Sequence, residues 1–492
     1  MKLLSKAVAL ALACTVLTNS SSAQRQIRLR LDPQLAQDVR KVQIQLGKKQ
    51  FAAAEKLFRQ ILNENKESPQ VVSVQLILHQ QFAAAYGRVK KHLEAGRHWA
   101  SYTDSLIGRL EKTPQFAGAV SIGVGRFVGA FVAAKKPELA EDKLEQVLKS
   151  VRTVGDKTKK PSVVSLATAI QTSKVLMLAQ QKQTGPAKEL LAKLYSAKEK
   201  ELKEKSNDEA TITSMIYLKD ARAKLATVTK SGSAEKYRKD LIEFVNAKAQ
   251  TNSDSLGIVR QFVNLNLLSI RQAIYINPKK ARKMLNEFED RIDELASEDR
   301  RVQSQLNFVR NTPIPNYRKT INGALRRLKL VGQDSQPLEV EAWANGKPLT
   351  DKDLKGKVVL LNFWAVWCRP CIKTFPHLRE WQKNYAKEGL QIIGVTRYYK
   401  FGWNAEAKRP VQNPNISKED EKAGMEAFGK HHKLEHPFAI APGSFGQKYQ
   451  VTGIPQVVLI DRKGKIRLIR VGSGEANAKA VHDMIKKLLA EK

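Results

Sequence analysis

A change of hydrophobic period near Asn311 constrains this chain more than any other feature. From Leu35 to about Leu330 apolar residues recur at spacings of three and four, as in Phe51, Ala54, Leu57, Phe58, Ile61 and Leu62, and again in Met284, Leu285, Phe288, Ile292 and Leu295. That spacing lines side chains along one face of a helix. Breakers at Pro69, Pro114, Pro137, Pro161, Gly185-Pro186, Gly232 and Asn277-Pro278 predict helical segments of about 15 to 25 residues. Thr312-Pro313-Ile314-Pro315 reads as a block to helix, and beyond Val331-Gly332 the apolar residues gather in short runs. Those runs predict strands over 358–364, 390–396, 456–461 and 465–471, with helices over 375–387, 419–432 and 476–490. Strand and helix alternating in this way imply an α/β domain, a mixed sheet with helices on both faces, following an all-α domain.

The chain has 492 residues, which suits two or three domains. Its 85 Lys and Arg against 48 Asp and Glu give +37. By count, residues 331–492 hold 27 basic and 17 acidic side chains, a net +10 that leaves +27 to the rest. Such a charge favours anionic surfaces or acidic proteins. No nucleic-acid signature accompanies it, so nucleic acid is not an expected partner. The segments over 47–62 and 278–295 have the small-residue and apolar pattern of helical hairpins and resemble degenerate tetratricopeptide-like repeats. No chemistry is assigned to this helical region.

Lys2 and Lys6, the apolar run Ala7–Leu17 and the small residues Ser21-Ser22-Ala23 read as an export signal over residues 1–23. The expected location is the periplasm or another extracytoplasmic site. Cys14 behind Leu12-Ala13 leaves a lipoprotein tether open, although Ala11 stands where such a site usually has Leu. No later stretch reads as long and apolar enough to span a bilayer. The domain expectation is therefore a signal over 1–23, a helical domain over 24–325 and an α/β domain over 331–492.

Without the signal, Cys368 and Cys371 are the remaining cysteines, and they share one Cys-x-x-Cys motif. A four-residue loop is a poor staple, gaining only about 2 kcal/mol against about 4.7 for a hundred-residue loop, which leaves redox chemistry or metal binding. The strand Val358–Trp364 runs into Trp367-Cys368-Arg369-Pro370-Cys371, after which helix begins. Cys368 then meets unpaired backbone N–H groups at the helix start, which favour a thiolate, and Arg369 adds positive charge. Cys371 lies one turn on, within reach of a mixed disulfide formed at Cys368. Pro370 costs no helical hydrogen bond in the first turn.

Leu354-Lys355-Gly356-Lys357, the run NFWAVWCRPC over 362–371, Phe375-Pro376, Gly453-Ile454-Pro455 and Leu459–Gly464 stand in an order and spacing that resembles the TlpA/ResA-like branch of the thioredoxin superfamily. The resemblance covers about residues 331–492. It implies a thioredoxin fold, with Cys368 as nucleophile and Cys371 as resolving thiol. It also implies that Pro455 is a cis-proline against the disulfide, that Ile454 offers its backbone to an extended substrate, and that Trp367 and Trp364 flank the site. Core packing is the competing reading for Trp364. The expected partners are protein disulfides or dithiols and an electron donor not identified by the sequence; no cofactor and no metal is expected. Adjacent His431 and His432 on a helix do not provide metal geometry.

Two positions depart from the family pattern. Asn362 stands where thioredoxins carry a buried Asp, and Thr374 where many relatives carry a Glu, so neither usual proton acceptor is present. The resemblance leans towards reduction, whereas basic surroundings favour a thiolate and a more oxidising pair. The segment Arg397–Phe445 exceeds a minimal thioredoxin, and its aromatics serve either partner recognition or its own core. The leading reading is an exported thiol-disulfide oxidoreductase acting on proteins as a reductase. The alternative is a helical-repeat scaffold whose redox domain only docks or senses. A peroxiredoxin would require a Pro-x-x-x-Thr-x-x-Cys pattern that is missing before Cys368.

Overall fold

The structure, a computed structural model, describes residues 31–491. The export signal and Cys14 lie outside the described residues. The described chain divides into two compact units, one running to Leu268 and including Asp290–Val309, the other combining Ser269–Glu289 with Arg310–Lys492.

The first unit is built from pairs of helices joined by short links. The pairs are Pro33–Gly47 with Phe51–Glu64, Val71–Arg88 with His92–Ile107, Ala117–Ala133 with Pro137–Thr158, Pro161–Gln180 with Thr184–Glu204, and Glu209–Val228 with Ala234–Thr251. Proline opens three of these helices at the first turn, where its missing N–H has no helical partner to lose. One apolar cluster unites Val120, Val124 and Phe127 with Leu106, Leu144 and Ile170. The expectation that nothing beyond the N-terminus is long and apolar enough to cross a bilayer is overturned. Pro114–Ala133 and Pro161–Gln180 both reach that length and hydropathy, with 50% and 61% of the respective windows buried inside the structure. Ala, Gly and Ser spread their apolar character thinly, so no long aliphatic run advertises it.

In the second unit the six-stranded sheet has the order β1 (Ala342–Ala344), β6 (Phe438–Ile440), β3 (Leu390–Thr396), β2 (Val358–Phe363), β7 (Gln456–Ile460) and β8 (Ile466–Val471). The β6, β3 and β2 strands are parallel neighbours, while β7, β8 and β1 join antiparallel. All six residues of β2 are buried. They alternate between two apolar clusters, because successive side chains of a strand point to opposite faces. Val358 and Leu360 pack with Phe375, Leu378 and Trp381 of the helix Phe375–Tyr385, Met425 and Phe428 of Lys418–His431, and Val481 and Ile485 of Glu475–Ala490. Val359 and Leu361 pack with Phe445, Tyr449 and Leu330. The mixed, doubly covered sheet agrees with the thioredoxin fold implied by the sequence.

Thr312–Pro315 does not block helix. Pro313 occupies the first turn of a helix that runs to Leu330, because proline is tolerated there and forbidden only further in. The helix is fastened to the sheet unit: Arg327, 9% exposed, donates from Nη1 to the Gln450 carbonyl at 3.2 Å and to Thr452 Oγ1 at 2.9 Å. Gly332 N–H donates to the Ile466 carbonyl at 2.7 Å. A separate two-stranded ribbon, β4 (Phe401–Asn404) with β5 (Arg409–Gln412), precedes the helix Lys418–His431.

Candidate active site

β2 lies in the interior of the sheet, and its last residue Phe363 pairs with Gln456, the first residue of β7. Two segments therefore meet at one end of the sheet: Trp364–Cys371 leaving β2, and Gly453-Ile454-Pro455 entering β7. The Ile454–Pro455 peptide is cis. Cys368 caps a four-residue helix, Arg369–Ile372, with Pro370 in its first turn. Its Sγ accepts from the Cys371 N–H at 3.2 Å, and the two cysteines form a disulfide with Cα atoms 5.3 Å apart. A backbone N–H aimed at Sγ is the type of donor that stabilises a thiolate once the bond opens.

Cys371 is fully buried and Cys368 is 2% exposed, whereas Trp367, next to Cys368 in the chain, is 40% exposed. Ile454 packs into the same apolar cluster as both cysteines. Beside the motif runs a groove of about 380 Å³, lined in part by Trp367, Thr396, Arg397, Tyr399, Gly443 and Ile454. Trp367 is covered by the Tyr399 ring, edge-on at 5.4 Å between centroids, and by Phe401 at 6.2 Å. The Arg397 guanidinium lies 4.7 Å from the Tyr399 ring centre.

The structure separates the two tryptophans. Trp364, 1% exposed, stacks on Phe428 at 5.2 Å and tilts against Phe438 at 4.7 Å, which makes it a core residue as well as part of the groove floor. Gly394 on β3 is required by this packing, since a Cβ there would lie 2.8 Å from Trp364 Nε1 and from the Phe438 ring.

Glu421 is a residue that the sequence reading did not single out. It is 1% exposed, and its carboxylate accepts the backbone N–H groups of Tyr399 at 2.6 Å, Lys400 at 3.1 Å and Phe401 at 3.2 Å. Three charge-assisted bonds compensate its burial and fix the segment that carries the aromatic cover of Trp367. In sequence Glu421 is one of three acidic residues in a helix's first turn, a pattern that signals favourable dipole placement and nothing else.

Asn362 is 1% exposed, and neither side-chain polar atom has a hydrogen-bond partner among the described residues. The Thr374 hydroxyl donates to the Cys371 carbonyl at 2.7 Å. Trp403 packs on Phe428 and His431, so this part of the long insertion serves its own core. Burial, then the charges of His431 and Arg379, push His432 down to about 4, and burial alone pushes His436 down to about 4. Among the described residues no group of three His, Cys, Asp or Glu could hold a metal ion.

Residues 312–486 match the Redoxin family model. The chain is 30% identical over 144 residues to the thiol-disulfide oxidoreductase ResA of Bacillus thuringiensis subsp. konkukian, a match spanning 29% of this chain and 70% of that protein. It is 30% identical over 140 residues to ResA of Bacillus subtilis, spanning 28% and 65% respectively. It is 32% identical over 129 residues to the thioredoxin-like protein YneN of the same organism, spanning 26% and 65%. A crystal structure of a putative thiol:disulfide interchange protein DsbE from Chlorobium tepidum aligns over 32% of this chain and 98% of its own, with 28% identity and a TM-score of 0.25.

Proposed function

Because the chain belongs to the TlpA/ResA-like thiol-disulfide oxidoreductases of the thioredoxin superfamily, we propose that it works outside the cytoplasm as a reductase of protein disulfides through Cys368 and Cys371. The observation that carries this reading is the Cys368–Cys371 bond at a helix start, with the Cys371 N–H on Cys368 Sγ. In the reduced protein the Cys368 thiolate attacks a substrate disulfide. An S–S bond forms to one substrate sulfur, and the other leaves as a thiolate. Cys371, losing its proton, then attacks Cys368 Sγ, restores the intramolecular disulfide and frees the second substrate thiol. Two electrons pass to the substrate, and an external dithiol donor must return them.

Trp367, Ile454 and Pro455 supply the surface on which the substrate lies, with the groove beside Arg397 and Tyr399 as its extension. Asn362 cannot take the Cys371 proton, and the Thr374 hydroxyl, which donates to the Cys371 carbonyl, is too weak a base, so water or another group must accept it. The basic helical unit, in the same reading, holds an anionic surface or an acidic partner. The test is reduction of insulin by the full chain with a dithiol donor. Accelerated turnover that is abolished in Cys368→Ser supports the reading. An inert full chain would instead favour a docking or sensing module.

A further inference from the structure

The links inside the five helix pairs of the first unit share one design. Lys49, Lys90, Lys135, Lys182 and Lys230 each occupy the second position of the link, and each has a left-handed backbone, with φ of 61°, 61°, 60°, 65° and 53°. Around each, the same two bonds close the preceding helix. Lys49 N–H bonds to the Leu46 carbonyl and Gln50 N–H to Gln45, and the pattern repeats at Lys90 and Lys91, Lys135 and Lys136, Lys182 and Gln183, and Lys230 and Ser231. This is the Schellman ending, whose left-handed position normally goes to Gly or Asn because a Cβ is unfavourable there. Here lysine occupies it five times.

All five lysines are exposed, and Lys48, Lys91 and Lys136 stand exposed beside them. None of the five links contains Asp or Glu. The five left-handed lysines have no ion pair among the described residues, whereas Lys136 pairs with Glu138 at 3.5 Å. Pairs that stack side by side place their internal links on one edge. Pro33–Gly47 packs on Val71–Arg88, Ala117–Ala133 on Pro161–Gln180, and that helix on Glu209–Val228. The links between pairs differ: Glu67, Glu111 and Asp208 sit beside lysines in three of them, Glu111 pairs with Lys157, the link holding Asp254 has no lysine, and in Lys159-Lys160 the first lysine pairs with Asp156 of the preceding helix at 4.0 Å. Lys159 in the first unit also takes a left-handed backbone, as do Lys400, Lys408 and Lys433 in the second, but Lys159 pairs with Asp156, so the row of left-handed lysines without an ion pair, and not lysine alone, sets this edge apart.

We infer that this lysine edge lies against a membrane surface of anionic phospholipid headgroups. The inference rests on the reading of the helical unit as a holder of anionic partners and assigns that role to one edge and one partner. Packed helices lie about 10 Å apart, so the charges form a spaced row without a pocket. The links carry no aromatic or large apolar side chain, which is what a protein interface core would supply. Lysine presents a compact charge on a flexible stem and suits a diffuse layer of phosphates.

The test uses the full chain and vesicles of phosphatidylcholine with or without phosphatidylglycerol. One variant carries Lys→Gly at 49, 90, 135, 182 and 230, substitutions that suit the left-handed backbone and so preserve the turns. A control carries Lys66→Gln, Lys112→Gln, Lys159→Gly, Lys160→Gln and Lys205→Gln from the other links. The unchanged chain should bind phosphatidylglycerol vesicles with an affinity that falls as salt rises. The five-glycine variant should bind roughly tenfold or more weakly, and the control within about twofold of the unchanged chain. Equal binding by both variants would overturn the edge assignment while leaving an anionic-partner role standing. No vesicle binding by the unchanged chain, with lysine-edge-dependent binding to an acidic protein or a polynucleotide, would overturn the lipid assignment. Insulin reduction should be the same in all three proteins, so the result is separable from the redox reading.

Discussion

At the residue scale, burial decides what the titratable groups near the site can do. His436 is 2% exposed, edge-on to Phe438 at 5.5 Å, and burial alone depresses it to about 4. The unfolded chain takes up this proton near pH 6.5 and the folded chain only near 4. Its stabilising contribution is therefore complete above pH 6.5 and lost as pH falls through that window, on the order of 3 kcal/mol for this one group. Trp fluorescence reports the sheet unit, since five of the six tryptophans lie beyond residue 331. The urea midpoint it reports should drop between pH 7 and pH 4.5, and His436→Gln should flatten the drop. A slope unchanged in the variant would show that His436 is not held neutral. Cys368, Cys371 and the Gly-Ile-Pro step were readable in the sequence because each motif is local. Asn362 was readable as a departure, but its unpartnered amide was not, since that depends on which neighbours β3 and β7 bring to it.

Among the elements, the core strands β2, β3, β7 and β8 announce themselves by short runs rich in Val, Leu and Ile. The Phe401–Asn404 and Arg409–Gln412 strands do not, being four residues each and carrying Gly402 and Pro410. Nor does β1, of three residues. What fixes the chain entering this ribbon is Glu421, twenty or more residues away in sequence, through three backbone N–H groups. Glu421→Gln leaves one acceptor oxygen and turns an amide donor towards those N–H groups. We expect a loss of about 2 kcal/mol, together with greater acrylamide quenching of tryptophan as the cover over Trp367 loosens. An unchanged midpoint and unchanged quenching would show that the segment 399–401 holds its place without the carboxylate.

On the scale of the whole molecule, the period change near Asn311 lies beside the break between the compact units at Val309 and Arg310, although Ser269–Glu289, of helical texture, also falls in the second unit. The helix Pro313–Leu330 has helical periodicity and therefore reads as part of the helical region. Arg327 on Gln450 and Thr452, and Leu330 in the cluster with Phe445 and Tyr449, join it to the unit that holds the cysteines. Helical periodicity reports which face of a helix is buried and not which neighbour buries it. The large positive charge was likewise legible in composition, whereas the recurrence of lysine at five left-handed turns needed the backbone conformation. The central claim concerns the redox unit: Cys368 attacks and Cys371 resolves. It is tested most directly by mixing reduced full-length Cys371→Ser with insulin and mapping the disulfide-linked peptides. The account predicts an insulin adduct at Cys368 that accumulates because nothing resolves it, and none in Cys368→Ser. An adduct through Cys371 in the Cys368→Ser protein, formed as fast as the one at Cys368, would contradict it.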